Sequence, residues 1–101
     1  MLFGLPQSTI DQIKAVFDQY PEIERVILYG SRAKNTHKHG SDIDLACVGT
    51  NLTHARVRDV SKQLDDLLLP YSIDLSILSS ITNPELVDHI RRVGVVMYEN
   101  D

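Results

Sequence analysis

Two short stretches carry most of the polar chemistry this chain could do: Tyr29-Gly30-Ser31-Arg32, at the end of an apolar run, and Ser41-Asp42-Ile43-Asp44-Leu45 after a brief connection. Glycine lets a backbone approach a phosphate closely, and the serine beside it offers a hydroxyl and an amide. Asp42 and Asp44, one residue apart, supply the hard oxygen ligands that divalent cations need when they accompany a triphosphate. A third acid, Asp74, recurs inside a later apolar run. Arg32 or Lys34 could neutralise charge on the β and γ phosphates. The set reads as a nucleotidyl-transfer site built into a very small domain.

The elements that must position these groups alternate between strand and helix patterns. Residues from about Ile23 to Tyr29 are rich in β-branched and aromatic types and read as a first strand running straight into Gly30, with a short helix over Ser31 to Asn35. Asp42 to Val48 gives a second strand and Tyr71 to Leu78 a third. Side chains alternate along a strand, so Asp42 and Asp44 share one face while Ile43 and Leu45 face apolar packing. The same alternation sets Ser72, Asp74 and Ser76 against Ile73, Leu75 and Ile77. A helical connection makes the second and third strands parallel, which would stand the three acids side by side. If the first two strands pair antiparallel, Gly30 and Asp42 become neighbours in space. Crowded carboxylates raise one another's pKa, so protons or divalent cations must occupy the gap, and magnesium is the natural occupant.

Helical spacing supplies the rest of the frame. Ile10, Ile13, Val16, Phe17 and Tyr20 form one stripe, with Ser8 or Thr9 as its cap, Gln12 completing a capping box and Pro21 as the stop. Between Thr53 and Leu69 the residues Val57, Val60, Leu64, Leu67 and Leu68 repeat at helical intervals until Pro70, and Leu69 exceeds what one stripe needs. Asn83-Pro84 is a cap and first-turn pair for a helix to about Val93, whose Arg91 and Arg92 suit its carboxyl end, and Val95 to Tyr98 can add a short edge strand. The fold class is therefore α/β (α+β): a small mixed β-sheet with helices packed on one side. His37 and His39 lie in the connection from Thr36 to Ser41, where a histidine is ordinarily solvated, and Tyr29 is expected to pack against a helix rather than to bind a ligand.

Composition narrows the function classes. A chain of 101 residues, 43% hydrophobic and 24% charged, reads as one globular domain spanning residues 1–101. A net charge of -4 is unfavourable for gripping a long polyanion, so no direct nucleic-acid binding is expected, whereas a nucleotide held through metal ions needs no basic surplus. The apolar runs are too short to cross a bilayer and no signal segment opens the chain, which points to the cytoplasm. The single cysteine, Cys47, excludes an internal disulfide and reads as a buried apolar residue.

The pattern Gly30-Ser31, then Asp42-Ile43-Asp44, then Asp74 within an apolar strand resembles the DNA polymerase beta-like nucleotidyltransferase superfamily, which includes kanamycin nucleotidyltransferase. At this length it is similar to the minimal nucleotidyltransferase (MNT) family, whose members are often antitoxins paired with a HEPN-domain toxin. The resemblance spans about Ile23 to Leu78. It implies a palm-like fold, Gly30 and Ser31 as the phosphate turn, Asp42 and Asp44 as metal ligands and Asp74 as the third carboxylate. Where many members read Gly-Ser-Arg-Ala-Arg-Gly, this chain has Gly30-Ser31-Arg32-Ala33-Lys34-Asn35. Lys34 keeps the charge without the planar fork, and Asn35 tolerates a positive φ less readily than glycine.

The resemblance implies transfer of AMP from ATP to a hydroxyl with two magnesium ions, Asp74 being the candidate to accept the hydroxyl proton. In MNT pairs the implied acceptor is a tyrosine of the HEPN toxin, whose RNase activity is silenced, so a hetero-oligomer is expected. Two other functions fit the same residues: an antitoxin that neutralises its partner by contact alone, and a small-molecule adenylyltransferase of the antibiotic-modifying kind. The latter generally needs an added acceptor-binding domain.

Overall fold

The computed structural model describes residues 3–36 and 41–100. The loop expected over Thr36 to Ser41, with His37 and His39, lies largely outside them. Among the described residues the elements follow in chain order: α1 (Gln7–Phe17), β1 (Arg25–Tyr29), β2 (Ile43–Val48), α2 (His54–Asp65), β3 (Ile73–Ile77), a 3-10 turn (Leu78–Ser80), α3 (Pro84–Val93) and β4 (Val95–Glu99). The strands form one mixed sheet in the order β3-β2-β1-β4. As expected, β1 and β2 are antiparallel and β2 and β3 parallel, joined through α2, while β4 closes the other edge antiparallel to β1.

Alternation along the strands sorts side chains between two faces. Val26, Leu28, Ile43, Leu45, Cys47 and Ile77 pack against Ile13, Phe17, Val57, Val60 and Leu64 of α1 and α2. On the opposite face a smaller cluster forms from Tyr29, Ala46 and Ile90, bordered by Ile27, Leu78, Ile81 and Leu86. The helices are therefore not all on one side. α1 and α2 cover one face, and α3 lies over the other, the face that carries the acids. Its amphipathic stripe of Leu86, Ile90 and Val93 needs apolar surface, and the small side chain of Ala46 leaves room for Ile90 beside Tyr29.

Local signals fix the helix ends with mixed success. Asn83 Oδ1 accepts hydrogen bonds from the backbone N–H groups of Glu85 (2.9 Å) and Leu86 (3.4 Å), and Pro84 occupies the first turn, as its sequence indicates. Thr53 caps α2 by accepting from Arg56 N–H at 3.1 Å. That helix ends at Asp65, ahead of Pro70, because Leu68 adopts φ 55°. Leu68 is 89% exposed there, whereas Leu67 and Leu69 turn onto the core. The capping box expected at Ser8 or Thr9 does not form. α1 starts earlier behind Pro6, with no side-chain cap, and Thr9 is buried in its first turn.

Cys47 is fully buried, its Sγ lies 3.1 Å from the Ser76 carbonyl oxygen, and burial pushes the thiol up to about 11. A thiol held protonated and out of water is a poor nucleophile. Cys47 should therefore resist Ellman's reagent in the native protein and react at the rate of global unfolding as denaturant is added. Among the described residues no helix is long and apolar enough to cross a membrane.

Candidate active site

Sheet register assembles the acids. Asp44 on β2 pairs directly with Asp74 on β3, and in a parallel pair such partners project from the same face. Across the antiparallel pair Asp44 also faces Tyr29, the residue that precedes the glycine turn. Asp42 lies one pleat before Asp44, at the open end of the strand, where the Ile43 N–H donates to the Ser72 carbonyl at 2.9 Å. Asp42 and Asp74 are exposed and Asp44 is half-buried.

The field at this corner is negative. Burial, reinforced by the charges of Asp74 and Asp42, raises the Asp44 carboxyl above its ordinary value. Burial and the charges of Asp74 and Asp44 push the Tyr29 phenol up as well, partly offset by a hydrogen bond with the Ser76 side chain. The donor set is entirely carboxylate oxygen, which is the chemistry magnesium prefers, and the repulsion that raises Asp44 is what a divalent cation relieves. Yet among the described residues no group of three or more His, Cys, Asp or Glu side chains stands ready to hold a metal ion. The three-ligand arrangement anticipated from Asp42, Asp44 and Asp74 is thus not closed. Neighbouring strands are about 4.8 Å apart, and like charges at that spacing have no reason to converge without a cation between them.

Gly30 abuts this pair. Its φ is 79°, a left-handed conformation that glycine adopts without strain, and a β-carbon placed on it would collide with the Asp44 carboxylate. The glycine turn and the acid are thus closely packed. The residues after it form a succession of turns and not the expected short helix: Lys34 N–H reaches the Gly30 carbonyl at 3.2 Å and Thr36 N–H the Ser31 carbonyl at 2.9 Å. An anion-attracting helix end is accordingly absent from this segment. Asn35 closes the turn at φ 60°, the conformation in which glycine would be unstrained and asparagine is the most tolerant substitute.

Arg32 has a different position from the one anticipated. It is 2% exposed. Its Nε and Nη2 donate to the Ser41 carbonyl (3.2 and 2.8 Å), its Nη1 donates to the Phe3 carbonyl (2.7 Å), and the guanidinium lies 5.0 Å from the centre of the Tyr71 ring. A phosphate ligand must reach solvent, and this side chain is spent on backbone. What it does is fasten the turn after Gly30 to the residue before Asp42, fixing the glycine turn relative to the acids. Arg32→Ala should cost about 2–3 kcal/mol in urea-induced unfolding, since hydrogen bonds from a charged donor are individually worth that order and three carbonyl contacts depend on it. Lys34, by contrast, is exposed beside the turn.

One residue of the site was not anticipated. His89, on α3, accepts the Gly30 N–H through Nε2 at 3.1 Å and meets the Tyr29 ring edge-on at 6.3 Å between centroids. Its only sequence signal is a polar residue set among Leu86, Ile90 and Val93 on the apolar stripe of α3.

The Polymerase beta, Nucleotidyltransferase family model matches residues 11–101. The chain belongs to that family. A nucleotide is therefore its substrate class. A search of curated proteins finds no match. Among solved structures, a toxin-antitoxin crystal structure with AMP-PNP superposes with a TM-score of 0.71 at 22% identity, covering 96% of this chain and 76% of that one. A complex of tri-AMPylated Shewanella oneidensis HEPN toxin with MNT antitoxin gives 0.68 at 21% identity, covering 93% and 72%. The MntA-HepT toxin-antitoxin gives 0.68 at 21%, covering 94% and 74%. At these identities the likeness extends the fold assignment to nearly the whole nucleotidyltransferase chain.

Proposed function

We propose that this nucleotidyltransferase moves AMP from ATP to a hydroxyl, that of a tyrosine on a HEPN-type toxin, and so acts as the antitoxin of a cytoplasmic pair. The observation that carries the reading is the register of Asp44 against Asp74 with Gly30 pressed on the same carboxylate. The neighbours support the acceptor: one is a complex of an MNT antitoxin with a tri-AMPylated HEPN toxin, and another is a toxin-antitoxin with AMP-PNP.

Asp42, Asp44 and Asp74 are the residues that would hold magnesium, which when bound lowers the pKa of the acceptor hydroxyl and offsets charge on the triphosphate. Gly30 allows the phosphates to approach the backbone, Ser31 offers its amide and hydroxyl, and exposed Lys34 adds a cation at the open side. The acceptor oxygen attacks the α-phosphorus, the bond to the bridging α–β oxygen breaks, and pyrophosphate leaves. Asp74, exposed at the edge strand, takes the hydroxyl proton.

The test is co-expression with the HEPN partner and incubation with magnesium and ATP labelled on the α-phosphate. Label is expected on the partner and is expected to vanish with EDTA. A partner that is neutralised yet never labelled would overturn the transfer reading in favour of neutralisation by contact.

A further inference from the structure

His89 is a side chain at the site that neither the motif nor the reaction above uses. It reaches the sheet from α3, the helix that covers the acid-bearing face, and its imidazole touches the site at two points. The Gly30 N–H donates to Nε2 at 3.1 Å, and the ring stands edge-on to Tyr29, interplanar angle 80°, just before the turn. An imidazole that accepts through Nε2 is neutral there and carries its proton on Nδ1. The contact also has a steric context. Gly30 has φ 79°, a β-carbon there would meet the Asp44 carboxylate, and its N–H is held by the histidine, so the glycine is bounded by both groups.

We propose that His89 is a positioning residue for the phosphate turn: it fixes the Tyr29-Gly30 peptide by accepting its N–H, leaving phosphate recognition to the amide and hydroxyl of Ser31. The role rests on the nucleotidyl-transfer reading. Three features favour it over simple packing. A backbone N–H at a glycine turn is the sort of donor that phosphate sites commonly recruit, and here an imidazole holds it. The acceptor comes from an element remote in sequence, with a separation of 59 residues, so the turn is tied to α3 as well as to its own strands. The ring also meets Tyr29, the residue paired with Asp44 across the sheet, placing it beside the acid pair and not at the rim. Turn, acid pair and α3 then behave as one unit, and α3 has a direct mechanical connection to the nucleotide site.

The experiment compares His89→Phe, which keeps an aromatic edge for Tyr29 but has no acceptor, with His89→Gln, whose amide oxygen can accept the same N–H. Two measurements are made: hydrogen exchange of the Gly30 amide in the ligand-free protein, and the KM for ATP against kcat in AMP transfer to the partner. In the wild type the Gly30 amide should be protected. His89→Phe should lose that protection and raise KM about threefold to tenfold, the worth of one hydrogen bond, with kcat changed less than twofold. His89→Gln should recover most of both. Equal protection and equal KM in all three proteins would overturn the proposal, as would a His89→Gln variant no better than His89→Phe, because rescue by an acceptor is what mere packing does not predict. If the wild type takes up no Mg·ATP, the transfer reading itself fails and this role with it. That outcome is told apart from failure of the His89 contact because amide protection is read without nucleotide.

Discussion

Asp44→Asn should lower AMP transfer by roughly a thousandfold while making the metal-free protein more stable. In the proposed mechanism Asp44 helps hold the catalytic cation, and loss of such a ligand removes several kcal/mol of transition-state stabilisation, which sets the size of the first effect. The second follows from the field at the β2-β3 pair. Burial, then Asp74, then Asp42 raise the Asp44 carboxyl, so the native state binds its proton more tightly than the unfolded chain does. Unfolding free energy therefore falls as pH rises through the native-state pKa of this group, and the penalty is absent below the ordinary carboxylate range, where both states are protonated. An asparagine carries no such penalty. Thermal unfolding from pH 4 to pH 8 in EDTA should show the wild type losing stability relative to Asp44→Asn as pH rises. Magnesium with ATP should restore the wild type and leave the variant unmoved, since a ligand stabilises only the state that binds it. A variant that is less stable than wild type at pH 8 without metal would mean that the acid is structural. The Asp42→Asn, Asp44→Asn double variant also distinguishes chemistry from contact, because a partner neutralised by binding alone would stay neutralised.

Gly30→Ala should be nearly as damaging by a different route. A β-carbon at φ 79° costs about 1–2 kcal/mol in backbone strain, and it would strike the Asp44 carboxylate. The carboxylate is the terminus of a flexible side chain and can be pushed aside, so the fold should survive with only the strain deducted. The displaced carboxylate should lower transfer about a hundredfold, because a shift of order 1 Å at a reacting group has that effect. A double-mutant cycle separates the two contributions. In an Asp44→Ala background Gly30→Ala should retain its stability cost and lose its effect on the rate. If the activity losses simply added, glycine and acid would not be coupled and the contact would be incidental.

Stabilisation of the site comes from parts with different sequence visibility. The strand alternation of Asp42-Ile43-Asp44-Leu45 and Ile73-Asp74-Leu75 was readable directly, because a period of two leaves little choice about which residues share a face when the alternate ones are apolar. The parallel relation of β2 and β3 was readable too, since α2 must carry the chain back before β3 starts. Together these indicated that Asp44 and Asp74 could stand side by side, as the register shows they do. The Asn83-Pro84 start of α3 was equally plain, a local signal satisfied by local hydrogen bonds.

Other features depended on contacts between residues far apart in the chain. Arg32 follows the glycine turn, where a cation looks suited to phosphate, and nothing local distinguishes that from a buried fastening to Ser41 and Phe3. His89 is fifty-nine positions from Gly30 and meets it only because α3 crosses the acid-bearing face, a choice made by the fit of Ile90 beside Ala46 and Tyr29. The amino-acid sequence thus determined which groups line the sheet end and what chemistry they can perform, because periodicity and residue type act over a few positions. The tertiary structure decided which cation faces the solvent, which side of the sheet α3 covers and what holds the turn, because those depend on packing and hydrogen bonding between segments that no local pattern relates.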